Sequence, residues 1–214
     1  YAGGQDEIGY FSPDAHGVLQ YTSLKNLIPK SQNKFEDIWD IEVYKGSVFF
    51  RTWDRIFEFK DETIRVYTAV SGWQMLKLAG NKLFAQDKIS GVFQFINNQW
   101  EPVTAKTSIP NFVITGVTAL NNDSLLISSL QDGLYILSKG ILTKKNTSAE
   151  SNFVKSHIYA FAQINKTEFV AGTTSEGCIV INTAGQIVQQ IARPEGLQNN
   201  NILSVFLDKD KNLW

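Results

Sequence analysis

Residues 36–66 read EDIWDIEVYKGSVFFRTWDRIFEFKDETIRV, and the parsing of this stretch decides the fold. Four short runs, 38–43, 48–52, 56–59 and 63–66, are rich in β-branched and aromatic residues. The gaps between them, 44–47, 53–55 and 60–62, hold Gly46, Asp54, Lys60 and Asp61. That alternation predicts four strands joined by tight turns. The second and third runs are apolar on successive residues, so both faces of this meander need cover. A four-stranded sheet of that kind is not stable alone in water and must be stacked against others like it.

The rest of the chain supplies such neighbours. The third-strand pattern recurs as EIGYF from Glu7, RIFEF from Arg55, GVFQF from Gly91, GLYIL from Gly133 and GCIVI from Gly177. Its second residues are Ile8, Ile56, Val92, Leu134 and Cys178, spaced by 48, 36, 42 and 44 residues. A beat of about forty residues with four strands per beat predicts an all-β fold, a β-propeller with four-stranded antiparallel blades. The expected organisation is one propeller over 1–214. It has a partial blade at 1–24, blades at 36–70, 71–107, 112–147 and 154–192, and the start of another at 199–214. Tyr1 and Trp214 both align near Phe49, so the chain holds about five blades' worth. Either the two ends meet and close a five-bladed ring, or the chain is part of a larger propeller. Residues 22–35 and 144–152 read as polar connectors.

Composition narrows the function classes. Lys and Arg number 20 against 21 Asp and Glu, which lacks the basic footprint of a nucleic-acid binder. The single Cys178 excludes an intrachain disulfide and a cysteine-cluster metal site, and packs in an alternating strand as a small hydrophobe. No run approaches the about 18 apolar residues of a membrane span. Trp39, Trp73 and Trp214 are expected in blade cores, whereas Trp53 lies in a loop where packing does not require it.

Motifs with chemical content are few. There is no zinc-protease histidine pair, nucleophile elbow or phosphate-cradling glycine loop. His16 lies in a turn and His157 just before a strand, neither with a partner histidine at ligand spacing. Asp208-Lys209-Asp210-Lys211-Asn212 imitates the start of a calcium loop, but Leu213 stands where the loop's glycine belongs, so a hairpin turn is expected. No metal or cofactor is expected. The loops between second and third strands place Trp53, Asp54, Asp87, Asp132 and Glu176 on one rim, which we take as the candidate ligand site. Asp and Gly are also what turns require, so the rim is equally readable as turn chemistry.

The stretch GLQNNNILSVFLDKDKNLW, residues 196–214, resembles the repeat of the two-component-regulator propeller family. The resemblance rests on Gly196, Leu197, Asn200, Ile202, Val205, Asp208, Asn212, Leu213 and Trp214, with Lys211 in place of the usual glycine. The opening YAGGQDEIGYFSPD resembles early blades of the subgroup whose propeller precedes a three-tyrosine sandwich, a membrane helix and a DNA-binding output module. Of the two ring readings, the resemblance implies the second, a chain that forms part of a seven-bladed ring. The resemblance implies a periplasmic or extracytoplasmic sensor that takes a small molecule, glycan or peptide, is not an enzyme, and dimerises through downstream parts. A protein–protein scaffold and a propeller glycan lyase or hydrolase are the alternatives.

Overall fold

A computed structural model describes residues 1–103 and 112–214; the end of the blade expected at 71–107 therefore lies outside the described residues. Two compact units are present, Tyr1–Pro102 and Val103–Trp214.

The first unit contains three antiparallel meanders in chain order. Strands β1 (Ala2–Gly4), β2 (Glu7–Pro13) and β3 (Leu19–Ser23) form a three-stranded sheet. A four-stranded sheet follows from β4 (Asp40–Tyr44), β5 (Ser47–Arg51), β6 (Arg55–Lys60) and β7 (Thr63–Thr68), then another from β8 (Trp73–Ala79), β9 (Lys82–Asp87), β10 (Gly91–Ile96) and β11 (Gln99–Pro102). In the second unit β12 (Ile114–Asn121), β13 (Ser124–Ser129), β14 (Gly133–Ser138) and β15 (Ile141–Lys145) make one sheet. Strands β16 (Ile158–Gln163), β17 (Glu168–Thr173), β18 (Cys178–Asn182) and β19 (Ile187–Ile191) make the next. The four-stranded antiparallel blades expected from the repeat are thus present; Ile56, Val92, Leu134 and Cys178 are buried on the third strand of their sheets, and Ile8 is buried on β2, the central strand of the three-stranded sheet.

Burial follows strand position. All five residues of β5 are buried, as are the last five of β9, β13 and β17, whereas the fourth strands β7, β11, β15 and β19 contain no fully buried residue. A strand covered on both faces reads as a continuous apolar run, and VFF, LFA, LLI and FVA are those runs. Phe49, Phe50, Phe57 and Phe84 are among the largest fully buried side chains. Each removes roughly 150–250 Å² from water, an upper bound of about 4–6 kcal/mol apiece. Hairpins need no glycine where both turn residues accept positive φ: Asp61 and Glu62 sit at 45° and 57°, Asn97 and Asn98 at 50° and 62°, as two-residue turns matched to strand twist require.

Within the first unit, neighbouring sheets are also joined by charge. Asp40 on β4 accepts from the Arg51 guanidinium, from Lys77 Nζ at 2.8 Å and from the Leu76 backbone N–H at 3.1 Å, while Arg51 donates to the Trp73 carbonyl at 2.7 Å. Burial alone would raise the Asp40 carboxyl, but the Lys77 and Arg51 charges outweigh it and hold it below the ordinary carboxylate value.

Three expectations are corrected. Residues 22–35 are no mere polar connector: Leu24, Ile28 and Phe35 are buried with Ile8 and Phe57, and Phe35 meets the Phe57 ring at 4.9 Å. Residues 144–152 run into helix α1 (Glu150–Ser156), whose Phe153 is fully buried among Leu134, Phe169 and Ile181. In both places an aromatic side chain helps to seal a core, and apolar residues scattered through a short polar stretch carry no periodic signal. Trp39 and Trp214 are 61% and 75% exposed, unlike Trp73 at 4%, so two of the three expected core indoles are on the surface.

Where the start of another blade was expected, at 199–214, the chain forms an isolated bridge between Leu207 and Leu213. Its motif residues nonetheless have structural work. Asn200 accepts from the Gly177 N–H through its carbonyl and from the Arg193 N–H through its side chain, and the Ile202 N–H donates to the Thr173 carbonyl. The Asp208 carboxylate accepts from Trp214 Nε1 at 2.9 Å, from the Asn212 side chain at 3.0 Å and from the Asn212 and Asp210 backbone N–H groups. These donors hold its carboxyl down to about 2. The calcium-like run is therefore a side-chain-closed turn.

Because the folded pKa of Asp40 is depressed, its contribution to stability is present above its unfolded value of about 4 and is lost as pH falls through the lower folded value. Asp40→Asn should destabilise the protein by about 3–5 kcal/mol near neutrality, because it leaves Arg51 buried without its counter-charge. Urea unfolding at pH 7 and at pH 3 checks both points: the variant should lose less stability than the native chain between the two.

Candidate functional site

The corners between second and third strands are built alike. Each second strand ends in, or for β5 is followed directly by, a polar residue, Thr52, Asp87, Ser129 or Thr173, and all four are 0% exposed. In each, the side-chain oxygen accepts the backbone N–H three residues on. Thr52 takes Arg55 at 2.9 Å, Asp87 takes Ser90 at 2.9 Å, Ser129 takes Asp132 at 2.8 Å and Thr173 takes Glu176 at 2.9 Å. A buried N–H left unpaired would cost about 1–3 kcal/mol, and this side chain removes that cost where the sheet ladder stops. In three corners the next residue is a glycine with positive φ, Gly91 at 93°, Gly133 at 74° and Gly177 at 75°, which closes a three-residue loop into the third strand. The Thr52 corner is one residue shorter, since the Thr52 N–H meets the Arg55 carbonyl directly. This explains why arginine stands there in place of the recurring glycine.

The corners place the candidate rim residues at non-equivalent positions. Asp87 is itself the buried corner residue, Asp54 lies two residues past its corner, and Asp132 and Glu176 lie three past theirs. Trp53 and Asp54 occupy the loop in the first unit. The Trp53 ring lies over Gly72, where a Cβ would come within 2.6 Å of the indole, and Lys88 Nζ stands 5.9 Å from the ring centroid. Asp54 pairs with Arg55 at 3.0 Å and accepts from the Thr52 hydroxyl.

Asp87 makes the platform for that indole. Its carboxylate accepts from the Ser71 hydroxyl and from the N–H groups of Val70, Ser71, Gly72, Ile89 and Ser90. Burial would raise this carboxyl, but the donors, Ser71 first among them, drive it far below the ordinary value. Trp53, Asp54 and Asp87 are therefore brought together at one end of the first unit, with Trp53 and Asp54 outward and Asp87 beneath as anchor.

In the second unit Asp132 is exposed, whereas Glu176 is tied to α1: Oε2 accepts from Asn152 Nδ2 at 2.6 Å, and Oε1 lies 3.8 Å from Lys155 Nζ. The same helix sends Glu150 to Gly133, the neighbour of Asp132, and to Lys144 Nζ at 2.7 Å. The helix, absent from the sequence reading, is thus what links these two corners. Cys178 is buried beside Val170 and Val180, and burial pushes its thiol up. His157 closes α1 with a φ of 50°. Among the described residues no three His, Cys, Asp or Glu side chains converge as metal ligands.

No protein-family model and no curated protein matches the chain. Solved structures do. The WD40 β-propeller domain of Doa1 aligns over 99% of this chain and 69% of its own, with a TM-score of 0.71 at 12% identity. The extracellular domain assigned to a hybrid two component system, BT4673 from B. thetaiotaomicron, aligns over 97% of this chain and 37% of its own, with a TM-score of 0.60 at 14% identity. YCF48 bound to D1 peptide aligns over 94% and 69%, with a TM-score of 0.61 at 12% identity. These likenesses establish the β-propeller fold, and this chain spans about a third of the BT4673 domain.

Removing one acceptor oxygen beneath Trp53 while keeping the side chain's shape separates anchor from rim. Asp87→Asn should cost about 2–3 kcal/mol in urea unfolding and red-shift tryptophan emission as the 70–72 loop loosens, whereas Asp54→Asn, at an exposed ion pair, should cost under about 1 kcal/mol.

Proposed function

We propose that this chain is the ligand-sensing propeller portion of an extracytoplasmic, membrane-spanning transcriptional regulator, and that it does no chemistry on what it binds. The observation that carries this reading is the likeness, along nearly the whole chain, to an extracellular domain of a Bacteroides two component system. The 196–214 motif supports it, because its matched residues include those that lock this segment in place.

The ligand we propose is a glycan or peptide held at the outward corner loops. In the first unit Trp53 and Asp54 offer an indole face and a carboxylate; in the second, taken by itself, Asp132 offers an exposed carboxylate and Glu176, held by Asn152 of α1, borders it. Three carboxylates of the first unit are already engaged: Asp40 by Arg51 and Lys77, Glu58 by Ser47 and Tyr67, Asp87 by its loop. This favours binding over carboxylate catalysis, since a general acid or base needs a free, tuned group.

A second reading, a protein scaffold, draws on one observation. Val70 and Ile89, 79% and 70% exposed, flank the Asp87 anchor beside Trp53 and give that end an apolar surface.

Thermal melting with defined oligosaccharides and peptides tests the sensing reading. A true ligand at about a hundred times its Kd stabilises by about 2.7 kcal/mol, a shift of several degrees. Trp53→Ala should diminish that gain. No shift with any probe, together with a protein partner whose binding is lost in Val70→Asp, would replace sensing with scaffolding.

A further inference from the structure

The loops at the Trp53 end of the first unit, 53–55, 70–72 and 87–90, carry four charged side chains, Asp54, Arg55, Asp87 and Lys88. Three are spent within the protein. Asp54 pairs with Arg55 at 3.0 Å, and the Arg55 guanidinium also donates to the Gln32 and Lys34 carbonyls at 2.7 and 2.9 Å. Asp87 is buried, with its oxygens taken by the 70–72 and 88–90 loops. Lys88 is exposed, and among the described residues no carboxylate forms an ion pair with it. Its ammonium stands over the Trp53 ring, 5.9 Å from the centroid, and a cation–π contact steadies a charge without neutralising it.

The neutral polar groups of these loops are spent as well. The Ser71 hydroxyl donates to Asp87 and accepts from the Ile89 N–H at 2.9 Å. The Thr52 hydroxyl donates to Asp54 at 2.9 Å and accepts from the Arg55 N–H. What remains exposed is apolar: the Trp53 indole, backed by Gly72, and the side chains of Val70 and Ile89, whose backbone N–H groups Asp87 ties together.

This end therefore offers one unpaired positive charge beside an anchored indole and two aliphatic side chains. We propose that it binds an acidic peptide segment in which an aliphatic side chain neighbours a carboxylate. The carboxylate accepts from Lys88 Nζ, and the aliphatic side chain rests against Trp53, Val70 and Ile89. A glycan is the poorer match, because its hydroxyls would lose water against loop groups that are already paired. A basic peptide is opposed by Lys88. The inference rests on the corner-loop reading above and narrows its ligand.

The test uses the ¹⁵N-labelled chain and reads the Trp53 indole N–H, one of five such signals, assigned with Trp53→Phe. Acetyl-Gly-Leu-Glu-Leu-Gly-amide, its Gln and Lys counterparts, tetragalacturonate and cellotetraose are titrated separately. The expected result is a shift of the Trp53 signal with the Glu peptide alone. Lys88→Gln should weaken that binding about threefold to fivefold, as loss of an exposed ion pair implies. Lys88→Glu should transfer the preference to the Lys counterpart, and both variants, altered at an exposed side chain, should melt as the native chain does. An equal response to the Gln counterpart, or binding unchanged in Lys88→Gln, would overturn the proposal. A Trp53 shift with tetragalacturonate or cellotetraose alone would overturn it while leaving the corner loops as the ligand site. A Trp53 signal unmoved by every probe would overturn it and remove Trp53 from that site as well.

Discussion

Burial of the second strand on both faces is the constraint from which the rest follows. A run such as Val48-Phe49-Phe50 cannot face water on either side, so each meander must lie between others, and every backbone group at its ends must find a partner without solvent. The ladder supplies partners along the strand but not at the corner into the third strand. There the chain places a buried threonine, serine or aspartate whose side chain takes the N–H three residues ahead. The corner loops are rigid for that reason, and a rigid loop is where a recognition surface can be held.

The Asp87 corner shows how the same solution acquires a second use. A hydroxyl satisfies one N–H; a carboxylate satisfies several. Asp87 accordingly gathers its own loop and the incoming 70–72 segment, and the indole of Trp53 rests on Gly72 at the end of that chain of contacts.

The strands were legible because both-face burial and tight turns leave local marks. The VFF, LFA, LLI and FVA runs, the Asn97-Asn98 turn and the recurring glycine before the third strand are all visible in a single pass. The candidate rim was legible only as a loop face. Asp54, Asp87, Asp132 and Glu176 look alike in the sequence, yet one is a buried anchor, one is bound to a helix and two point outward. The small polar residue before each loop was a signal available to find the corners, since Thr52, Asp87, Ser129 and Thr173 share their spacing to the third strand to within one residue. It is weak, because serine and threonine are common everywhere.

By itself, the sequence determined the class of fold and the strand order, because alternation, turn residues and a forty-residue beat are properties of neighbours along the chain. Tertiary structure alone decided which isolated side chains do the sealing and which stay outside. Phe35 and Phe153 enter cores from connectors with no periodicity, while Trp39 and Trp214 remain on the surface. It also decided that Asp87 is spent on donors of the 70–72 and 88–90 loops, since a hydrogen bond depends on where two distant segments meet in space.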